Sequence, residues 1–219
     1  MTPRWPVVIF DLDGTLIDSI GLIVASYQYA FRTVLGHEED EARIKTWIGQ
    51  SLIGTMREHY PDHADELFET YTTWNEAHTP EMIREYPGVP ELVSSLVDSG
   101  VRVGAATSKR RGQAQWGLDL ARLGDLVPLL VAHEDVDAHK PDPAPLLLAA
   151  EKLGAAPGQG MSVYVGDAAV DVLAAHNAGM DSVGCTWGAG AESDLIEASP
   201  TALVTSVAEL RAVLLPEMG

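Results

Sequence analysis

Hydrophobic residues in this chain gather in short, unbroken, largely β-branched runs that stop at a polar residue. Val7-Val8-Ile9-Phe10 ends at Asp11, the run from Val101 to Ala106 ends at Thr107, and Ser162-Val163-Tyr164-Val165 ends at Gly166-Asp167. Leu129-Leu130-Val131, Asp181 to Cys185 and Ala202-Leu203-Val204 are further candidates. Unbroken apolar runs suit strands covered on both faces, as in a parallel sheet; one-sided strands alternate instead. Between the runs, helical patterns cover 89–99, 113–123, 145–153 and 168–178, and Gly100, Gly124, Gly154 and Gly179 stand where helix C-caps are expected. Strand and helix alternating in this way predict an α/β fold with a doubly wound parallel sheet.

One region breaks the rhythm. Between the first strand and Tyr86 there is only helical pattern and no strand candidate. Ile20, Ile23, Val24, Tyr27, Ala30, Phe31, Val34 and Leu35 share one helical face, and Gly36 ends the run. Shorter amphipathic stretches follow over 39–48, 52–59 and 62–78, and Tyr86-Pro87-Gly88-Val89-Pro90 marks a turn-rich return. The expected organisation is an α/β core of residues 1–14 and 86–219 with an inserted α-helical cap at 15–85. No internal repeat or low-complexity tract interrupts it.

Composition narrows the class. The 219 residues are 46% apolar, which excludes a disordered chain despite a formal charge of −18 from 14 basic and 32 acidic side chains. An acidic surface repels phosphodiester backbones, so nucleic acid is not an expected partner. Apolar runs such as Leu146 to Ala150 fall far short of the ~20 residues of a membrane span, so no membrane association is expected. Residues 1–6 lead into only four apolar residues before Asp11, unlike a secretory signal. The single cysteine, Cys185, cannot form an internal disulfide, which makes a reducing cytoplasm the expected location and a buried thiol the expected state.

The chemistry concentrates where the strands end. In open α/β sheets ligands bind at the carboxyl ends of the strands, near the point where strand order reverses. Those ends supply Asp11 with Asp13, then Thr107, then Asp167 with Asp171, and a further loop supplies Lys140. Four carboxylates around one crevice repel each other unless a divalent cation joins them, and hard oxygen donors favour Mg²⁺. Lys140 and the Thr107 hydroxyl would then face a second anion, a phosphoryl group.

Residues 11–19, Asp-Leu-Asp-Gly-Thr-Leu-Ile-Asp-Ser, resemble the first motif of the haloacid dehalogenase-like hydrolase superfamily. Thr107-Ser108 is similar to its second motif, Lys140-Pro141-Asp142-Pro143 to its third, and Gly166-Asp167-Ala168-Ala169-Val170-Asp171 to its fourth. The four occur in order along nearly the whole chain, and helices placed directly after the first motif resemble the cap of the phosphoglycolate-phosphatase-like branch. The resemblance implies a Mg²⁺-dependent phosphatase acting on a small phosphorylated metabolite, with 2-phosphoglycolate foremost. It implies Asp11 as the nucleophile that forms an aspartyl-phosphate, and Asp13 as acid toward the leaving oxygen and base toward water. Gly14 would let the backbone approach the phosphate, Thr107 and the Ser108 amide would bind the phosphoryl group, and Lys140 would neutralise charge. Asp11, the Asp13 carbonyl, Asp167 and Asp171 (directly or through water) would hold Mg²⁺.

Taken singly, these residues have plainer readings. Asp11, Asp13 and Thr107 are all types that cap helices, Lys140 alone reads as a solvated charge, and Asp171 also suits a helix cap. Asp18-Ser19 reads as the structural opening of the first cap helix. Gly49 to Thr55 has phosphate-loop glycine spacing but lacks the lysine. His133 and His139 are expected in loops near the site, and Trp47 and Trp74 either pack the cap or line a substrate pocket. The turn from Trp47 to Ser51, with Gln50 at its centre, is the expected point of cap contact.

Rival functions remain open on the same residues: inorganic pyrophosphatase, sugar-phosphate phosphatase or phosphomutase, and, in a different class, a non-catalytic phospho-ligand sensor. A phosphonate hydrolase would need a cap lysine, for which Lys45 is the sole candidate. A 2-haloacid dehalogenase needs no second aspartate, so Asp13 argues against it. Monomer and homodimer both fit the sequence.

Overall fold

The computed structural model describes residues 3–155 and 160–216. The chain runs β1 (Val7–Phe10), β2 (Ile17–Asp18), α1 (Ile20–Leu35), α2 (Glu41–Trp47), α3 (Leu52–His59), a 3₁₀ turn at Pro61–His63, α4 (Ala64–Met82) and β3 (Arg84–Glu85). It continues through α5 (Val89–Asp98), β4 (Arg102–Ala106), α6 (Arg111–Leu120), β5 (Leu129–Val131), a 3₁₀ turn at His133–Asp135 and α7 (Ala144–Lys152). The last part is β6 (Ser162–Gly166), α8 (Ala169–Asn177), β7 (Asp181–Cys185), α9 (Glu192–Ala198), β8 (Ala202–Val204) and α10 (Val207–Leu214).

Six strands form one parallel sheet in the order β5-β4-β1-β6-β7-β8. The chain steps outward from β1 to β5, then returns through α7 to the other side of β1, so strand order reverses at the sheet centre. Strand β1 explains why the apolar runs are unbroken. Val8 and Phe10 pack into the cluster beneath α5, α6 and α10, whereas Val7 and Ile9 pack beneath α7 and α8. Both faces of the strand are dry, so no position in it can be polar.

The helices between β2 and β3 carry an apolar cluster of their own. Ile23, Tyr27, Phe31, Ile44, Trp47 and Leu67 are among its buried members. Tyr27 meets Tyr71 edge-on at 4.9 Å between centroids, and Asn75 Nδ2 donates to Ser26 Oγ at 2.9 Å, fastening α4 to α1. Gly36 takes the left-handed conformation at the end of α1 (φ 76°), as its position predicts.

Three local expectations need correction. The stretch before Tyr86 does contain strand: β2 and β3 pair antiparallel, Ile17 with Glu85 and Asp18 with Arg84, joining the two ends of the helical insert. Helix α4 runs past His78 to Met82 with Pro80 in its last turn, where proline has no amide to donate to the Glu76 carbonyl one turn back. Gly124 does not cap α6; Arg122 adopts the left-handed conformation there (φ 58°), and Leu123 N donates back to Leu118 O at 2.8 Å.

Candidate active site

Parallel strands deliver their carboxyl ends to one edge, and that edge collects the polar residues. Asp11 follows β1, Thr107 follows β4 and Asp167 follows β6, all buried; Asp171 sits in the first turn of α8, and Lys140 enters from the loop before α7. Asp11, Asp167 and Asp171 each place a carboxylate oxygen within 4.8 Å of the others. Lys140 Nζ lies 3.1 Å from Asp11 Oδ1 and 2.6 Å from Asp171 Oδ1. Asp171 also accepts the Ala168 amide at 3.0 Å, so it caps α8 and faces the site at once.

These carboxylates are under-neutralised. Three buried acids against one buried ammonium would leave two negative charges uncompensated if all three ionised. Burial pushes the Asp11 carboxyl far above the usual carboxylate range; Asp171 and Asp167 add to the shift and Lys140 opposes it. Burial and the adjoining Asp171 push Asp167 up in the same way, against hydrogen bonds from the Ala189 amide and the Thr15 hydroxyl. Burial pulls Lys140 down, but Asp11 and Asp171 outweigh it and hold the ammonium well above its ordinary range. Asp11 Oδ1 meets Lys140 only as an ion pair, and no described donor hydrogen-bonds it. A buried set of hard oxygens short by two positive charges when ionised fits Mg²⁺.

Asp167 is held by a cradle of close backbone. Thr15 Oγ1 donates to its Oδ1 at 3.0 Å and the Ala189 amide to its Oδ2 at 2.7 Å. A Cβ at Gly14, which sits at φ 78°, would collide with the Asp167 carboxylate, and so would one at Gly188. The close neighbour that demands glycine at position 14 is therefore Asp167 itself. The Gly188-Ala189-Gly190 loop escaped the sequence reading, because glycines after a strand have many structural uses.

Asp13 stands apart from the other carboxylates. Its Oδ1 accepts from Lys109 Nζ at 2.7 Å and from Ser19 Oγ at 2.6 Å. Ser19 occupies the N-cap position of α1 but makes no capping bond, so its hydroxyl serves Asp13 rather than only opening the helix. Lys109 was missed in the sequence, where one basic residue after Thr107-Ser108 carries no signal. Thr107 Oγ1 accepts the Lys109 amide at 3.2 Å, and Ser108 Oγ donates to the Gly49 carbonyl of the helical insert at 2.8 Å. Tyr164 was also missed: its hydroxyl donates to Ala106 O at 2.8 Å and lies 3.2 Å from Lys140 Nζ.

Between this edge and the helical insert lies a cavity of about 360 Å³. Asp11, Asp13, Thr107, Ser108 and Lys109 line its floor; Trp47, Gln50, Phe68 and Tyr71 are among the residues facing them. Trp47 thus lines the pocket, whereas Trp74 stacks on Tyr29 and His78 away from it. Lys45 pairs with Glu41 at 2.7 Å on an exposed face and is not part of the lining. His133 lines the cavity and stacks on His139 with ring centres 4.2 Å apart; burial holds both imidazoles below their ordinary range. Cys185 is buried. No described helix is long and apolar enough to cross a membrane.

The chain resembles known proteins over most of its length. It is 33% identical over 207 residues to the pyrophosphatase PpaX of Bacillus pumilus, covering 94% of this chain and 95% of that protein. A solved structure of a predicted phosphatase from Clostridium acetobutylicum superposes with a TM-score of 0.86 at 27% identity, covering 97% and 99% of the two chains. A predicted phosphoglycolate phosphatase from Haemophilus somnus shares the fold, with a TM-score of 0.82 at 24% identity and coverage of 94% and 96%. The haloacid dehalogenase-like hydrolase family matches residues 8–185, which contain every residue of the carboxylate edge. With the sheet order, the carboxylate edge and this match in agreement, the chain belongs to the haloacid dehalogenase-like hydrolases.

Proposed function

We propose that this chain is a Mg²⁺-dependent phosphatase that hydrolyses a small, carbon-bearing phosphomonoester through an aspartyl-phosphate on Asp11. The observation that carries this reading is a buried carboxylate, Asp11, without a hydrogen-bond donor on Oδ1, set beside a separately held second carboxylate, Asp13, on the floor of a cavity. Residues 15–85 act as the cap over a core of 1–14 and 86–219.

In this reading an Asp11 oxygen forms a bond to phosphorus as the bond to the leaving oxygen breaks, and Asp13 donates its proton to that oxygen. Water then attacks the aspartyl-phosphate, Asp13 takes back a proton, and inorganic phosphate leaves with Asp11 restored. The Thr107 hydroxyl and the Ser108 amide bind the phosphoryl oxygens, and Lys140 balances charge on the phosphate and Asp11 together. Asp11, Asp167, Asp171 and the Asp13 carbonyl would hold Mg²⁺, which supplies charge neutralisation on the phosphoryl oxygens.

Within this class 2-phosphoglycolate is the first substrate to test. A wall built partly from Ile23, Ile48, Ile53 and Phe68 suits carbon on the leaving group. Pyrophosphate is the second reading, favoured by the name of the Bacillus pumilus relative. Phosphate release from 2-phosphoglycolate, an aryl phosphate and pyrophosphate, with and without Mg²⁺ and with Asp11→Asn as the blank, tests both. Retained turnover in folded Asp11→Asn removes the nucleophile assignment. Preference for pyrophosphate keeps the catalytic roles and changes the substrate, and silence on all three shifts weight to a phosphomutase or a sensor.

A further inference from the structure

Basic side chains are scarce here, 14 against 32 acidic ones, yet three of them line the cavity beside three acids, Asp11, Asp13 and Asp65. Arg57, Lys109 and Arg110 line it, and Lys140 stands behind Asp11. Both lysines are committed to carboxylates of the reacting edge, at 2.7 Å and 2.6 Å. The two arginines are not held in this way. Arg57, on α3, reaches Asp65 only at 3.7 Å, and Arg110, at the start of α6, reaches Glu134 only at 3.9 Å. Neither guanidinium donates a hydrogen bond to a described residue, and their side chains are 67% and 55% exposed.

Their setting is apolar as well as cationic. The Arg110 guanidinium lies over the Phe68 ring, 5.4 Å from its centre, so a core cation and a cap aromatic meet at one spot. Arg110 also borders a second, more open groove, lined with it by Gln113 and Trp116 and by the carboxylates Glu76 and Glu134. The 360 Å³ cavity falls in the ~300–1,000 Å³ range of pockets that enclose ligands well beyond a two-carbon acid. A chain of charge −18 repels anions in general, so two weakly paired guanidinium forks in the lining of this cavity are suited to receive a second negative group.

We infer that the substrate carries a second anionic group, at the far end of an apolar leaving group, and that Arg57 and Arg110 bind it across the seam between cap and core. The inference rests on the phosphomonoesterase reading and extends it: 2-phosphoglycolate is the shortest member of this class, and longer members are the better substrates. One arginine from each side makes the anion a bridge, so binding it also draws the cap onto the reacting edge.

The test compares 4-(carboxymethyl)phenyl phosphate with 4-methylphenyl phosphate, matched in ring and leaving oxygen, on wild type, Arg57→Gln, Arg110→Gln and Asp11→Asn. Wild type is expected to favour the carboxylate ester by about tenfold or more in kcat/KM, mainly through KM, which equals ~1.4 kcal/mol. Each arginine variant is expected to cut that ratio at least about threefold, and Arg57→Lys and Arg110→Lys to restore part of it. A wild-type ratio below tenfold, with Mg²⁺-dependent turnover that Asp11→Asn abolishes, overturns the inference and leaves the phosphatase reading standing. A ratio that survives both Gln variants overturns the assignment to the arginines. Absence of turnover on both esters overturns the phosphomonoesterase reading, and this inference with it.

Discussion

Lys109 Nζ sits 2.7 Å from Asp13 Oδ1, with both side chains largely buried, and Ser19 Oγ reaches the same oxygen at 2.6 Å. The proposed acid–base carboxylate is therefore fixed from two sides, by the loop after β4 and by the start of α1. Fixing it matters because proton transfer is effective only within hydrogen-bond reach of the leaving oxygen.

Lys109→Met should weaken that hold while leaving the apolar stem in place. Positioned acid–base catalysis is worth ~10²–10⁴ in rate, and loss of one of two anchors should forfeit at least about tenfold in kcat. The loss should be greater on an alkyl phosphate, whose leaving oxygen needs the proton, than on p-nitrophenyl phosphate, whose leaving group departs without it. Equal losses on the two esters would show that Lys109 acts on binding alone.

Gly188→Ala places a methyl group against the Asp167 carboxylate, which the neighbouring Ala189 amide holds at 2.7 Å. Asp167 must shift, and outer partners of metal ligands are typically worth ~10–100-fold in metal affinity. The expected outcome is a Mg²⁺ concentration for half-maximal activity raised about tenfold or more. An unchanged Mg²⁺ dependence would remove Asp167 from the ligand set or show that the loop yields freely.

The sheet was legible because its central strands β1 and β6 are dry on both faces and end at an aspartate, so that Val7–Phe10 and Ser162–Gly166 announce both their length and their reactive end. The α1 and α3 helices were legible through spacing and, for α1, the Gly36 stop. What escaped notice lacks any periodicity. β2 and β3 are two residues each, too short for an alternating pattern, and only their pairing makes them strands. Arg122 takes a left-handed turn that its residue type disfavours, imposed by Leu123 bonding back to Leu118. The Asp11, Asp13, Thr107 and Asp167 edge was readable because strand ends converge. The supports of that edge, Lys109, Ser19, Tyr164 and the Gly188 loop, come from unrelated points of the chain. Their roles exist only once folding brings those points together.

Tyr164 illustrates such a support and gives a stability prediction. Its ring lies within β6, fully buried, and its hydroxyl joins the Ala106 carbonyl to Lys140. Tyr164→Phe keeps the packing but removes the hydroxyl that donates to the buried Ala106 carbonyl, which costs ~1–3 kcal/mol. Chemical denaturation should register that loss with an unchanged m-value. A variant as stable as wild type would mean that the Ala106 carbonyl finds another partner.

The carboxylate edge predicts how stability, pH and Mg²⁺ are linked. Burial, reinforced by neighbouring acids, raises Asp11 from 3.8 to about 8 and Asp167 from 3.8 to about 7 in the absence of metal. In the unfolded chain both carboxyls lose their protons near the lower value, so between 3.8 and about 8 the folded state binds more protons. Metal-free stability should therefore be fully present at acid pH and fall as pH rises through that window. Mg²⁺ favours the ionised carboxylates, releases their protons on binding and cancels the loss. The melting temperature of the EDTA-treated protein should drop between about pH 5.5 and about pH 8, and the gain on adding Mg²⁺ should be larger at the higher pH. An equal Mg²⁺ gain at both pH values would mean that Lys140 and the surrounding amides already hold these carboxylates ionised across that range.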